Sequence, residues 1–163
     1  MKKTRLLSMF IAVMMVLLIT SSAMAETIVI GGAGPLTGGA AQYGISVEQG
    51  AQLYIDQINA ELAASGSDTR FELIFEDNGG DDTEAQNVYY RLTESKGAVA
   101  FLGDVLSSNC KVVAECANED GIPMVTASST SYEITTDHPT VFRTCFLDLS
   151  LIHISEPTRP ISI

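Results

Sequence analysis

The sequence predicts an α/β domain: a doubly wound, mostly parallel sheet with helices on both faces. Three observations predict it. Short β-branched or apolar runs alternate with longer segments of helical periodicity, as in repeated strand–helix units. The run Ala98-Val99-Ala100-Phe101-Leu102 is apolar at every position, as expected of a strand in the middle of a parallel sheet. The stretch Thr27–Gly44, TIVIGGAGPLTGGAAQYG, passes from a β-branched strand through a loop of glycines, a proline and small residues into a helix. That order places a ligand at the carboxyl end of a parallel sheet.

The elements follow in order. Residues 1–25 read as an export signal outside the fold. Lys2, Lys3 and Arg5 form a basic start, Leu6 to Thr20 is almost wholly apolar, and Ala23-Met24-Ala25 is a small-x-small cleavage pattern. An uncleaved anchor is the alternative, but the apolar run is short for a bilayer span. Strand one is Thr27–Ile30. The first helix runs from about Tyr43 to Ala64, with Val47, Ala51, Tyr54, Ile55, Ile58 and Leu62 recurring at three and four to make one buried face. Ser65-Gly66-Ser67 ends it, and Phe71–Phe75 is strand two. Asp77–Asp81 is a turn, after which Asp81 or Asp82 caps a helix reaching about Lys96. The apolar strand 98–102 comes next, and Ser107 or Ser108 opens a third helix to about Asn118. Gly121 ends that helix, Pro123-Met124-Val125 is strand four, and Val141–Phe146 is strand five. Right-handed crossovers then give the doubly wound sheet.

Charge and composition exclude several functions. The chain of 163 residues carries a net charge of −11, and removing Lys2, Lys3 and Arg5 takes the exported part to −14. Such an acidic surface is unsuited to nucleic acid or to an anionic membrane. The 138 residues after the signal suffice for one domain with a real core. Cys110, Cys116 and Cys145 have no zinc-ligand spacing, and they read as small buried hydrophobes although export permits a disulfide.

Two hydroxyl clusters carry the candidate chemistry. Strand three leads through Gly103-Asp104-Val105-Leu106 to Ser107 at a helix start, where free backbone N–H groups and a serine hydroxyl favour an anion. A plain helix cap at Ser107 is the competing role. Ser128-Ser129-Thr130 lies just past strand four, again at a carboxyl end, so both clusters face one crevice suited to a carboxylate. Other signals are weaker. Gly32-Ala33-Gly34 lacks the third glycine of a dinucleotide loop, and Pro35 intrudes. Asp77 to Asp82 does not fit a calcium loop and reads as a solvated turn. Asp104, near the crevice, reads as an exposed loop acid, with contact to a ligand cation as the alternative. His138, before Pro139 in a turn, has no nucleophile at triad spacing. No catalytic residue, metal site or cofactor is expected, which leaves a receptor rather than an enzyme.

Six segments in order resemble the amino-terminal lobe of the leucine/isoleucine/valine-binding protein family: GPLTGGAAQYG at 34–44, GAQLYIDQINA at 50–60, FEDNGGD at 75–81, GDVLSS at 103–108, GIPMVTASST at 121–130 and VFRTCF at 141–146. The resemblance implies a periplasmic solute receptor of an ABC importer with the type I periplasmic-binding fold. It implies an amino acid or related small-molecule ligand and a membrane permease as partner. It also implies that Ser107 and Thr130 hold the ligand carboxylate, that Ser128 offers a backbone carbonyl to the ammonium, and that Tyr43 lines the site. For Tyr43, a staple at the helix start is the other role.

The resemblance further implies a second lobe joined by hinge strands, so the chain reads as truncated: a signal at 1–25, an amino-terminal lobe at 26–148, and a tail at 149–163. The tail LSLIHISEPTR at 149–159 resembles a translated sequencing adapter and is expected to be non-native; a natural strand with a proline-bounded turn is the alternative. Three classes of function are weighed. A transport receptor is preferred, an extracellular sensing domain of the same fold is the alternative, and an α/β enzyme lacks the residues it needs. Specificity for the ligand's side chain would be shared with the second lobe.

Overall fold

The computed structural model describes residues 26–149. The signal at 1–25 and the tail beyond Leu149 lie outside the described residues. Five parallel strands form one sheet in the order β2-β1-β3-β4-β5, with β1 at Thr27–Gly34, β2 at Arg70–Asp77, β3 at Ala100–Leu102, β4 at Met124–Thr126 and β5 at Val141–Arg143. Helix α1 (Ala41–Ala64) links β1 to β2. Helix α2 (Asp82–Tyr90), continued by a π-helical turn at Arg91–Ser95, links β2 to β3. Helix α3 (Ser107–Asp120) links β3 to β4, and the short α4 (Glu133–Thr136) precedes β5. All five predicted strands are present. Periodicity does not predict α4, a single turn that buries only Ile134 and is too short to show a period.

The strand order reverses between β1 and β3. With right-handed crossovers, that reversal puts α1 on one face of the sheet and α2 and α3 on the other. The packing agrees: α1 lies on β1 and β2, whereas α3 packs against α2, β4 and β5.

The glycines after Ile30, read as loop, continue the strand. β1 pairs with β2 along its whole length, from Thr27 beside Arg70 to Gly34 beside Asp77. The absence of side chains lets the strand run here: a Cβ on Gly34 would lie 2.7 Å from Val105 Cγ2. At the helix starts, Asp81 caps α2 by accepting the Glu84 N–H at 2.9 Å.

The core fills the face under α2 and α3. Val88, Tyr89, Leu92, Phe101, Val113, Met124, Ile134 and Val141 are buried there. The Tyr89 and Phe101 rings meet edge to face with centroids 5.2 Å apart. The Tyr89 hydroxyl donates to Asp120 at 2.9 Å, which gives its polar end a partner.

Among the described residues, the other face is only half covered. Of the predicted buried face of α1, Ile55 is buried and Val47, Ala51, Ile58 and Leu62 are half-buried, but Tyr54 is 62% exposed. The expectation fails at Tyr54 because α1 sits over β1 and β2, with no described helix beside it over β3 to β5. A groove of about 360 Å³ therefore runs between α1 and the sheet, lined by Tyr54, Ile55, Leu73, Leu102 and Val125 among others. Phe142 on β5 is 56% exposed.

Candidate functional site

Four loops meet at the carboxyl ends of the strands, beside the point where the strand order reverses. The loop after β1 carries Pro35 to Ala40 into α1. The end of β2 holds it: the Asp77 carboxylate accepts the Leu36 N–H at 2.7 Å, the Thr37 hydroxyl at 2.6 Å and the Gly79 N–H at 2.8 Å. The Thr37 hydroxyl is the main reason that Asp77 titrates below the usual carboxylate range, followed by the opposing effect of burial and then the backbone donors. The turn read as solvated is thus a strap across the glycine-rich loop. Gly44 lets the first turn of α1 lie against that loop, since any Cβ there would run into the Pro35 carbonyl. Tyr43 consequently stands at the rim, 66% exposed.

The loop after β3 departs most from expectation. Asp104, read as an exposed loop acid, is fully buried. Its Oδ1 accepts the Val105 N–H at 2.6 Å and its Oδ2 accepts the Asn78 amide. Burial pushes its carboxyl up to about 7, against the lowering by the Val105 and Leu106 N–H groups and Asn78, and the Asp82 charge adds to the rise. The reason for burial is topological: Asn78 from the β2 turn and the hydroxyls after β4 close over the loop from both sides.

Those hydroxyls are already engaged. Thr126 Oγ1 donates to the Asp104 carbonyl at 2.9 Å, Ser128 Oγ to the Val105 carbonyl at 2.9 Å, and Ser129 Oγ to the same two carbonyls at 3.0 and 3.2 Å. Arg143 of β5 donates to the Ser129 and Ser131 carbonyls at 3.2 and 2.7 Å and so sets the 129–131 loop from behind. A lone arginine in the apolar strand VFRTCF was the only sequence signal of that role.

Ser107 opens α3 but does not cap it. The cap position belongs to Leu106, with extended backbone, and no side chain caps the helix. The first helical bond runs from the Cys110 N–H to the Leu106 carbonyl at 2.9 Å, which leaves the N–H groups of the first turn to be satisfied from outside.

Tyr43, Val105, Leu106, Ser107 and Ser128 line one crevice of about 260 Å³. The structure thus brings together three of the four residues singled out from sequence. Thr130 is half-buried and is not among the lining residues; its carbonyl accepts the Asp148 N–H at 3.2 Å. His138 lies away from the crevice, with Nδ1 against the Ile134 carbonyl at 3.0 Å. Cys110, Cys116 and Cys145 are free thiols; the first two are buried and Cys145 is half-buried. The crevice offers an uncapped helix start, the Ser107 hydroxyl, which has no hydrogen-bond partner among the described residues, the Ser128 residue and an aromatic rim. That set can hold a small carboxylate and an ammonium, and it contains no nucleophile paired with a base.

Comparison with known proteins bears on the same residues. Residues 27–150 match the family model described as periplasmic binding protein. The chain is 35% identical over 149 residues to the leucine-, isoleucine-, valine-, threonine- and alanine-binding protein of Pseudomonas aeruginosa, an alignment that covers 90% of this chain and 39% of that protein. It is 27% identical over 130 residues to the Leu/Ile/Val-binding protein of Escherichia coli, covering 79% and 35%. Among solved structures, a leucine binding protein from Thermotoga maritima superposes with TM-score 0.67 at 30% identity, covering 74% of this chain and 33% of that one. The branched-chain amino acid transporter substrate binding protein of Streptococcus pneumoniae, solved with isoleucine, gives TM-score 0.67 at 28% identity, covering 76% and 35%. The chain therefore spans between a third and two fifths of the length of these relatives.

Proposed function

We propose, for a chain that belongs to the periplasmic binding protein family, that it supplies one wall of the ligand cleft of a solute receptor for an ABC importer. The ligand is an amino acid of branched-chain type, or a related small carboxylate or amide. The membrane permease of the importer is the partner, and the periplasm, reached through the signal at 1–25, is the location. The observation that carries this reading is the meeting of Tyr43, Ser107 and Ser128 on one crevice at an uncapped helix start. The names of the relatives, and the isoleucine held by the Streptococcus pneumoniae protein, support the ligand class.

In this reading the ligand carboxylate sits against the first N–H groups of α3 and the Ser107 hydroxyl. The Ser128 carbonyl takes the ammonium, since the Ser128 hydroxyl is already committed to Val105. Tyr43 covers the side chain from the rim, and Thr130, on the loop that Arg143 holds, is the second hydroxyl offered to the carboxylate. A second wall, contained in the greater length of the relatives, completes the cleft. One wall alone leaves the ammonium partly solvated and a partner missing, at about 1–3 kcal/mol for each unpaired polar group. Calorimetry of the chain against a panel of amino acids tests this: binding weaker than micromolar is expected, and submicromolar binding would overturn the two-wall reading.

A further inference from the structure

We propose that Asp104 is the positioning residue of the crevice: its buried carboxylate, held by Asn78, fixes the loop that presents Ser107 and the start of α3. The inference rests on the ligand reading above and adds two residues that do not line the crevice.

The geometry has a fixed post and a loop tied to it. Asn78 is the post. It is 2% exposed, its N–H donates to the Gly34 carbonyl at 3.2 Å, and its carbonyl accepts the Asp81 N–H at 2.9 Å. Its side-chain oxygen accepts the Gly80 N–H at 3.0 Å, which leaves the amide nitrogen to reach Asp104. The tied loop runs from Gly103 to Leu106. One carboxylate oxygen of Asp104 takes Asn78 and the other takes the N–H of Val105, a residue that lines the crevice. From the opposite side, Thr126 and Ser129 donate to the Asp104 carbonyl at 2.9 and 3.0 Å. The loop is therefore held through its side chain from β1 and β2, and through its carbonyl from β4.

A core-filling role does not account for this arrangement. Burying a carboxylate is costly, and an apolar residue of similar volume would fill the space with less penalty. What an apolar residue lacks is a two-pronged acceptor that joins the Asn78 amide to the Val105 N–H. The ionisable groups packed around Asp104 are Asp82 at the start of α2, whose Oδ1 is taken by Asn109 at 2.7 Å, and the Cys110 thiol of α3. Neither is a cation, so the carboxylate is held by hydrogen bonds rather than by an ion pair.

The test uses a residue swap. In the double variant N78D/D104N three bonds have a counterpart: the new amide at 104 donates to the new carboxylate at 78, its oxygen accepts the Val105 N–H, and the carboxylate still accepts the Gly80 N–H. Two-dimensional amide spectra of ¹⁵N-labelled chain are recorded for the wild type, Asp104→Ala and the swap, first free and then with L-leucine as probe. In Asp104→Ala the amides of Val105, Ser107 and Ser108 are expected to move, and half-saturating leucine to rise about tenfold, the loss of one charge-assisted hydrogen bond's worth of positioning. The swap is expected to restore both. Unmoved amides in Asp104→Ala, or a folded swap whose Ser107 and Ser108 amides stay displaced, would overturn the proposal. If Asp104→Ala does not fold, the swap alone decides it by the same criterion. Leucine-induced shifts in the wild type that avoid Ser107 and Ser108 would sink the ligand reading, while the free spectra still decide the role of Asp104.

Discussion

The Ser128 hydroxyl donates to the Val105 carbonyl at 2.9 Å and so joins the two loops that line the crevice from β3 and β4. Ser129 Oγ reaches the same carbonyl at 3.2 Å. The two hydroxyls share an acceptor, so removing one leaves the other in place. Ser128→Ala is expected to cost about 1 kcal/mol, the net value of an ordinary hydrogen bond. The double variant S128A/S129A is expected to cost more than the sum of the single changes, because neighbours that share a partner are not additive. Urea midpoints of the four chains check it, and strict additivity would show that the two bonds are independent.

Ser107→Ala separates a ligand role from a cap. Ser107 is the first helical residue, not the cap, and its hydroxyl supports no backbone N–H of α3. The change is therefore expected to leave stability within about 0.5 kcal/mol, as for other substitutions that break no structural bond. It is expected to weaken leucine binding by about tenfold, the loss of one hydrogen bond to a charged group. A stability loss near 1 kcal/mol with unchanged affinity would restore the capping role.

The pH dependence of stability follows from Asp104. Its carboxyl lies at about 7 in the folded chain, pushed up by burial, whereas the unfolded chain holds it at about 3.9. The folded form binds the proton more tightly, so this contribution is fully present below about pH 4 and is lost as pH rises through about 7. Its ceiling is about 4 kcal/mol, the free energy that separates those two carboxyl values. Asp77 works in the opposite sense and in a separate window: its lowered value gives stability that is lost only as pH falls below the ordinary carboxylate range. Urea unfolding at about pH 5 and pH 8 is expected to show a loss on going to the higher pH that Asp104→Asn abolishes. Equal slopes in the two proteins would contradict the burial of an ionisable Asp104.

The half-covered face of the sheet predicts self-association. Phe142 and Tyr54 are both more than half exposed, and Leu102 and Val125 line the open groove between α1 and the sheet. An apolar patch of this kind favours contact with other apolar surfaces. Sedimentation is expected to show mass that rises with concentration, and Phe142→Glu to reduce it. A monomer at all concentrations would contradict it.

Much of the architecture was legible from period and punctuation. The five apolar runs became five parallel strands, Asp81 capped α2, and Gly121 ended α3 with φ of +71°. Part of the crevice lining was legible too: Tyr43, Ser107 and Ser128 line it, whereas Thr130, chosen by the same strand-end rule, does not. What escaped depends on neighbours distant in sequence. Asp104 is buried by Asn78, 26 residues earlier, and by Thr126, 22 residues later, and nothing in the local string GDVLSS distinguishes a buried acid from a solvated one. Gly31, Gly32 and Gly34 looked like loop because glycine has low strand propensity; they pair as strand, and the space their side chains would occupy is filled by Ala98 and Phe101 at Gly31, by Phe75 at Gly32 and by Val105 and Phe75 at Gly34. Tyr54 carries the right period for burial, and only the missing cover over β3 to β5 leaves it exposed.

The central claim is that the start of α3 beside Ser107 receives a ligand carboxylate. Parallel titrations of ¹⁵N-labelled chain with L-leucine and with leucinamide, which keeps the ammonium and the side chain but lacks the carboxylate, test it most directly. Leucine is expected to move the Ser107 and Ser108 amides, and leucinamide to leave them in place. Equal shifts with both compounds, or leucine-induced shifts that avoid Ser107 and Ser108, would contradict it.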